Sequence, residues 1–300
     1  MGGAYFDVMG FHSYPHFDGT TIYFDNNIGG LAYERHSDRA AFGIPFKQNI
    51  RQGVLGGYGY DGVTYPEKEW IITEINIPRD PVGGQWIGSE EAQKNFIIKA
   101  MVNAMKYDIT QIHTFRLGER EYFATANNGQ TGNPEFNLMG FYQRMDDILP
   151  YEQIINIEGI AHKTASDCLF GSTYDATKTA QMNLPSGVDG GAFLHPDGHY
   201  TYVVWAKTTV DLSEVASATY SFPGSFGFSN LWKKDWDYSQ TFSTSQVSST
   251  GMNLDATPIF LTEEEFVPPP IITMFCPDDV TVVAGQNANG AVVNMSLIHI

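Results

Sequence analysis

Residues 69–79 of the chain have the sequence EWIITEINIPR. The segment is rich in aromatic and β-branched residues and is stopped by Pro78, which predicts a strand that is buried on both faces. Strands of this kind are typical of parallel sheets that lie under helices. We therefore expect the rest of the chain to be arranged around a parallel sheet that contains this strand.

Glu74 stands near the carboxyl end of this predicted strand. Burying an unpaired carboxylate is costly, so a glutamate at this place is either paired with a cation or takes part in function. In a (β/α)8 barrel, the carboxyl ends of the strands carry the catalytic groups. The alternative is a structural ion pair, for which Arg79 and Arg116 are candidates.

The first part of the chain alternates strand-like and helix-like segments. Strands are predicted at 5–14, 69–77 and 109–117, one or two helices within 31–55, and further helices at 92–107 and 138–149. This alternation is typical of βα units with right-handed crossovers and a parallel sheet. A complete (β/α)8 barrel needs more strands than these. The segment is therefore either a small open sheet or the last part of a larger barrel.

From Gly159 onward the pattern changes to short alternating runs between turn residues, which predicts an antiparallel β-sandwich. The prolines at 268–270 indicate a stiff linker, and the run after Cys276 predicts the first strand of another β domain. The predicted domains are a partial barrel at 1–156, a β-sandwich at 157–265, a Pro-rich linker at 266–270 and a truncated immunoglobulin-like repeat at 271–300. We expect both ends of the chain to lie inside larger domains.

The composition limits the possible partners. The chain has 34 acidic and 17 basic residues and a net charge of −17, which argues against nucleic acid and favours a neutral, hydrated substrate. Cys168 and Cys276 are too few to form a disulfide framework. No apolar run is long enough to span a bilayer. The histidines lack metal-ligand spacing, so we predict no metal and no cofactor.

Polar side chains follow each of the three predicted parallel strands. His12 and Tyr14 come from the first strand, Glu74 from the second, and His113 and Arg116 from the third. Because the carboxyl ends of parallel strands meet at one edge of a sheet, these side chains are expected to form one site.

Three short motifs in this order resemble a known family: FHSY at 11–14, WIITE at 70–74 and TFR at 114–116. They are similar to strands six, seven and eight of the retaining β/α-barrel glycoside hydrolases. The segments 42–46 and 73–79 resemble the agarase and porphyranase type from marine bacteria. The likeness covers about residues 4–265, including the accessory β-sandwich. The tail after the prolines resembles a hyalin-type repeat, which implies a secreted or cell-surface protein.

The resemblance implies a role for several side chains. Glu74 would be the nucleophile, with Tyr14 or His12 donating a hydrogen bond that keeps its carboxylate charged, and Arg116 able to do the same. In this family the general acid follows an asparagine at the end of strand four, which these residues do not supply. Glu119 and Glu121 are weaker substitutes, since loop carboxylates usually lie at the surface. The chain alone is therefore expected to hydrolyse little or nothing.

Other residues remain open between function and packing. Trp86 and His113 are candidates for substrate binding, and Phe115, Tyr122 and Phe123 can stack on sugar rings or simply pack. The acidic runs at 25–27 and 278–279 fit turn chemistry better than a calcium site. The expected partner is a polysaccharide substrate. The alternative function is a non-catalytic carbohydrate-binding or adhesion protein.

Overall fold

The three predicted strands of the first half lie side by side in one parallel sheet. They are β1 (Val8–Ser13), β4 (Glu69–Ile75) and β5 (Ile109–Thr114), in the order β1-β4-β5. The register slips once between β1 and β4, so that Phe11 pairs with Ile72 and His12 with Glu74. The computed structural model describes residues 5–15, 21–25, 30–80, 87–119, 134–143 and 154–265.

Two long helices cover one face of this sheet. They are α1 (Ser37–Gly57) and α2 (Glu90–Lys106), and α2 begins at Ser89, whose hydroxyl accepts a hydrogen bond of 3.0 Å from the Ala92 amide. The shared core is apolar and contains, from strands and helices, Phe11, Ile44, Trp70, Ile72 and Phe96. This burial stabilises the layer, since each large side chain removed from water contributes about 1.5–3 kcal/mol.

The opposite face of the sheet is open. Gly10, His12 and His113 are exposed, while Ile71 and Thr73 are partly exposed. The prediction that residues 69–79 form a strand buried on both faces is therefore wrong for the described residues. Side chains alternate between the two faces of a strand, and only the helix-facing set is covered.

The segment before α1 also differs from the prediction. A hairpin of β2 (Thr21–Asp25) and β3 (Gly30–Tyr33) occupies part of the predicted loop, and the helix begins at Ser37 rather than near residue 31. His36 caps that helix, its Nδ1 accepting from the Arg39 amide at 3.2 Å. The helix then continues through Pro45, whose ring is buried.

The region from 173 to 262, called here the antiparallel region, consists of two antiparallel sheets. The larger sheet has the order β11-β10-β13-β8-β7-β6, and the smaller one pairs β12 with β9. The strands are β6 (Thr173–Tyr174), β7 (Val188–Leu194), β8 (Tyr200–Ala206), β9 (Ala218–Tyr220), β10 (Asn230–Lys234), β11 (Thr244–Ser248), β12 (Met252–Leu254) and β13 (Ile259–Thr262). Both sheets contribute to one core, in which Tyr202 and Val204 pack with Tyr220 and Leu254.

Helices also occur where only β structure was predicted. They are α3 (Ile157–Leu169), α4 (Ala176–Gln181) and α5 (Tyr238–Thr241). The sequence of α3 has the period of a helix, with Ile160, Ala161, Thr164 and Ala165 buried, and the helix packs on α2. Gly159, taken as a turn residue, instead allows close packing, since a Cβ there would lie 2.8 Å from the Phe141 carbonyl oxygen.

The helix predicted at 138–149 is also corrected. Pro134–Leu138 is a short 3-10 helix, and residues 139–143 run on without helix, with Tyr142 bridging to Gly118 and Ile155. The remainder of the predicted helix lies outside the described residues, as do the predicted linker and repeat at 266–300. Within the described part of the chain, the structure contains no helix with the length and apolar character of a membrane span.

A buried polar cluster joins α1 and α2 to the antiparallel region. The fully buried ammonium of Lys99 lies 2.8 Å from Asp38, which also accepts hydrogen bonds from the Trp205 indole at 2.7 Å and the Thr208 hydroxyl at 2.6 Å. Burial alone would raise the pKa of Asp38, but Lys99 and these donors outweigh it and lower the pKa. The cluster is thus an ion pair whose hydrogen bonds are satisfied from both regions.

Candidate active site

Glu74 lies at the carboxyl edge of the parallel sheet, on the side that the helices leave open. Its side chain is 40% exposed, although the residues on either side of it in β4 are partly or fully buried. The register slip between β1 and β4 sets Glu74 directly opposite His12. A carboxylate here is held by a rigid strand and still reaches solvent, which is the arrangement that a reacting group requires.

Two predicted residues contact this carboxylate. The Tyr14 hydroxyl donates a hydrogen bond of 2.6 Å to Glu74 Oε2, and His12 Nδ1 lies 3.5 Å from the same oxygen. Burial, together with the hydrogen bond and charge of Glu74, raises the pKa of the Tyr14 phenol far above its usual range. Tyr14 therefore remains a protonated donor at every physiological pH.

Aromatic rings form one wall beside the carboxylate. The Tyr14 ring packs edge-to-face against Phe136 at 4.9 Å and Phe115 at 6.0 Å between centroids, and those two rings lie 5.7 Å apart. Phe115 was a candidate for stacking, and the structure places it here. Phe136 was not predicted, because it follows a polar segment that gave no sign of returning to the sheet edge. Such edge-to-face contacts fix ring positions within a site.

The proposed ion pair between Glu74 and Arg79 is wrong. Arg79 instead binds Glu119 with two hydrogen bonds, of 2.6 Å from Nε and 3.1 Å from Nη2. Glu119, expected at the surface, is only 2% exposed. Burial raises its pKa, and Arg79 opposes that shift. A carboxylate engaged in this way is unavailable as a catalytic acid beside Glu74.

The remaining predicted residues are placed less directly. The Arg116 guanidinium lies 5.9 Å from the centre of the Phe115 ring, and the peptide bond between these two residues is cis. His113 lies on the open face with its Nε2 3.3 Å from Gln111 Oε1, one strand away from Glu74. Trp86 lies outside the described residues, together with three other candidates, Glu121, Tyr122 and Phe123.

No metal centre is formed by the residues that the structure describes, since they contain no group of three or more His, Cys, Asp or Glu side chains able to hold an ion. Of the candidate calcium segments at 25–27 and 278–279, Asp25 ends β2, and the other residues lie outside the described part of the chain. The Glu74 carboxylate lies beside a phenol, from Tyr14, and an imidazole, from His12.

A second glutamate lies buried behind the sheet edge. Glu158, on the first turn of α3, is fully buried, and neither carboxylate oxygen has a hydrogen-bond partner among the described residues. Burial raises its pKa well above the usual value, and the charge of Glu119 acts in the same direction. The side-chain amide of Asn76 opposes this rise in pKa, and it donates hydrogen bonds to the carbonyls of Phe115 and Met139. Sequence reasoning missed Glu158, because its burial depends on the packing of α3.

Comparison with known proteins finds likenesses among solved structures alone. No family model matches the chain, and no curated protein matches it. A family 39 glycoside hydrolase from the gut symbiont Bacteroides cellulosilyticus WH2 is 14% identical, with a TM-score of 0.43, and the match covers 66% of this chain and 34% of that one. The endo-β1,6-glucanase BT3312 is 14% identical with a TM-score of 0.34, over 68% and 37% of the two chains.

The GH51 arabinofuranosidase from Xanthomonas axonopodis pv. citri is 10% identical with a TM-score of 0.37, over 85% of this chain and 50% of that one. The chain thus spans between a third and a half of the length of these solved structures. TM-scores this low do not indicate a function for this chain. The functional proposal depends on the geometry around Glu74.

Proposed function

We propose that this chain is the last part of the catalytic domain of a retaining glycoside hydrolase that acts on a polysaccharide, with Glu74 as the nucleophile. One observation carries the proposal: Glu74 is solvent-accessible at the carboxyl edge of a parallel sheet and accepts a 2.6 Å hydrogen bond from Tyr14. Glu119 differs from Glu74 in both respects, since it is buried and paired with Arg79.

The chemistry follows from this geometry. The hydrogen bond from Tyr14 holds Oε2, so Oε1 is the atom that forms a bond to the anomeric carbon while the bond from that carbon to the leaving oxygen breaks. Water then cleaves the glycosyl ester and restores the Glu74 carboxylate. The rings of Phe115 and Phe136 would shield one side of the reacting sugar from solvent.

A retaining enzyme needs a second carboxyl group about 5–5.5 Å from the nucleophile, acting as general acid. Glu119 is engaged with Arg79, and the family that the sequence resembles carries its acid after an asparagine at the end of strand four, so we propose that the acid lies outside these three βα units. General acid assistance contributes roughly 10²–10⁴-fold. The chain alone should therefore act poorly on natural glycosides, whose leaving groups need a proton.

The finer assignments rest on the sequence resemblance. We propose an agar or porphyran type of galactan as the substrate, a β-sandwich as the accessory domain and a location outside the cell. The alternative, a carbohydrate-binding or adhesion protein without catalysis, would use the antiparallel region for contact and leave Glu74 without a chemical role.

An activated glycoside tests the nucleophile on the chain as it exists, since a dinitrophenolate leaves without an acid. We expect 2-deoxy-2-fluoro dinitrophenyl glycosides to label the peptide that contains Glu74, detected by mass spectrometry. Glu74→Gln should abolish the labelling. Glu69→Gln is the matched control, because Glu69 is an exposed carboxylate at the other end of β4. Labelling that persists in Glu74→Gln, or no labelling by any sugar of a galactosyl and glucosyl panel, would overturn the assignment.

A further inference from the structure

A cleft of about 720 Å³ lies between the first turns of α2 and the antiparallel region. Lys94 comes from α2, Trp236 and Asp237 follow β10, and Asn253 and Asp255 come from β12 and the turn after it. The cleft does not include Glu74 or the aromatic rings beside it. The side chains that line the cleft are thus separate from the site at Glu74, and they take no part in the proposed hydrolysis.

The charges in the cleft argue against an anionic ligand. Four carboxylates line it and only two lysines do. Both ammonium groups already have partners, since Lys94 pairs with Glu91 and Lys233 lies 2.8 Å from Asp235. A sulfate or phosphate would therefore meet no unpaired cation among the described residues. The carboxylates of Asp237 and Asp255 are instead acceptors suited to hydroxyl groups.

The lining of the cleft includes one aromatic side chain, that of Trp236. Trp236 is partly exposed, and the Lys94 ammonium lies 4.9 Å from the centre of its ring. Lys94 itself is nearly buried, so the ring is held from the α2 side by a fixed contact. A rigid indole surrounded by carboxylate, amide and hydroxyl oxygens matches a pyranose ring, which has an apolar C–H face and a rim of hydroxyl groups.

We propose that this cleft binds a neutral polysaccharide chain, as an auxiliary site distinct from the site at Glu74. Trp236 stacks on a sugar ring, and Asp237 and Asn253 accept hydrogen bonds from its hydroxyl groups. Serine and threonine hydroxyls of the same cleft, at Ser248 and Thr250, complete the polar rim.

The topology places this cleft at the same end of the molecule as Glu74. Helix α2 follows β4 and returns along the sheet, so its first turn lies level with the carboxyl end of that strand. Gln93, next to Lys94, confirms this level by donating a hydrogen bond of 2.8 Å to the carbonyl of Ile77, just after β4. Both sites therefore lie toward the carboxyl ends of the parallel strands. Joint action of the two sites on one polymer rests on the proposed function, whereas binding in the cleft does not.

Affinity electrophoresis tests the proposal on the chain as it exists, with neutral agarose, a neutral β-1,6-glucan and sulfated porphyran as probes. We expect at least one neutral polymer to retard the protein more than porphyran does. Trp236→Ala should weaken that retardation by about tenfold or more, because the stacking surface is lost. Asp237→Asn, which preserves shape, should weaken it several-fold. Phe170→Ala is the control, since Phe170 is 86% exposed and lies outside the cleft.

The outcomes separate this proposal from the proposed hydrolysis. Electrophoretic retardation reports binding in the cleft and labelling reports the nucleophile, so a failure of the labelling experiment leaves binding in the cleft intact. The proposal is overturned if no neutral polymer retards the protein, if porphyran is preferred, or if Trp236→Ala and Asp237→Asn, both shown by circular dichroism to be folded, bind unchanged.

Discussion

The strands of the antiparallel region are buried on both faces more fully than the strands of the parallel sheet. In β8 of the antiparallel region every residue after Tyr200 is buried, whereas in β5 of the parallel sheet Ile109 alone is buried. The inner face of β8 packs into the core of the two sheets, and its outer face presents Trp205 to α1 and α2. The parallel sheet is covered by helices on one face only.

This difference determines where polar side chains can lie without a buried partner. The open face carries His12, Glu74 and His113, polar groups that a covered face would accept only with partners. In the antiparallel region the comparable polar groups are used for attachment, as in the bond between Trp205 and Asp38. Polar side chains are thus left open to solvent at one sheet and are hydrogen-bonded to the helices at the other.

Removing the Asp38 carboxylate, which links the helices to the antiparallel region, should have the largest effect on stability. Asp38→Ala leaves the fully buried ammonium of Lys99 without its carboxylate, and we expect a loss of about 3–5 kcal/mol in the free energy of unfolding. The measurement is urea denaturation followed by circular dichroism and tryptophan fluorescence.

The double variant Asp38→Ala with Lys99→Met is the control for that experiment. Removing both charges leaves no unpaired ion in the interior, so part of the lost stability should return. A single variant that is as stable as the unaltered protein would mean that the cluster does not hold the two regions together.

The two faces of the parallel sheet can be compared directly. Ile72→Ala, on the helix-covered face, should cost about 2–5 kcal/mol, because it leaves a cavity in the core. Val8→Ala, on a residue that is 41% exposed, should cost about 1 kcal/mol or less. Equal losses in urea denaturation would show that the open face is covered by another surface in solution.

Much of the parallel sheet could be predicted from the sequence. The three strands and α2 have strong local signals, such as the Ser89 cap and the apolar stripe behind it. The α3 helix was missed because Gly159 and Gly171 resemble turn residues, while the periodic burial of Ile160 and Ala165 depends on α2 as a partner. The secondary structure of such a segment depends on packing against residues that are distant in the sequence.

The candidate site was predictable only in part. Glu74, Tyr14 and His12 lie at strand ends, where topology alone brings them together. The pairing of Arg79 with Glu119 joins residues 40 positions apart through loops, and no local pattern marks it. Phe136 likewise reaches the site through a segment outside regular strands, so sequence spacing gave no indication of its place.

A buried acid behind the open edge should make stability depend on pH. Because the pKa of Glu158 is raised in the folded state, the folded chain keeps a proton that the unfolded chain releases. Stability should therefore fall as pH rises above the usual glutamate value, by at most about 1.4 kcal/mol per pH unit, until the raised pKa is passed. Glu158→Gln should flatten this dependence and match the unaltered protein near pH 4.

The measurement is the free energy of unfolding between pH 4 and pH 8, with Glu67→Gln as a control, since Glu67 is an exposed carboxylate on a loop. A pH profile that is the same in Glu158→Gln and in the unaltered protein would show that the buried carboxyl group does not retain its proton.

The smallest expected effect concerns the open edge itself. Tyr14→Phe keeps the ring against Phe115 and Phe136 but removes the 2.6 Å hydrogen bond to Glu74. A hydrogen bond to a charged group contributes about 1.5–3 kcal/mol, so losing the bond that orients the carboxylate should lower the rate of labelling by the activated fluoro glycoside roughly tenfold or more. Val8→Ala is the control, because Val8 lies on the open face at the other end of β1. If Val8→Ala slows labelling as much as Tyr14→Phe does, the phenol has no special part in orienting the carboxylate, and the open face as a whole contributes to the reaction.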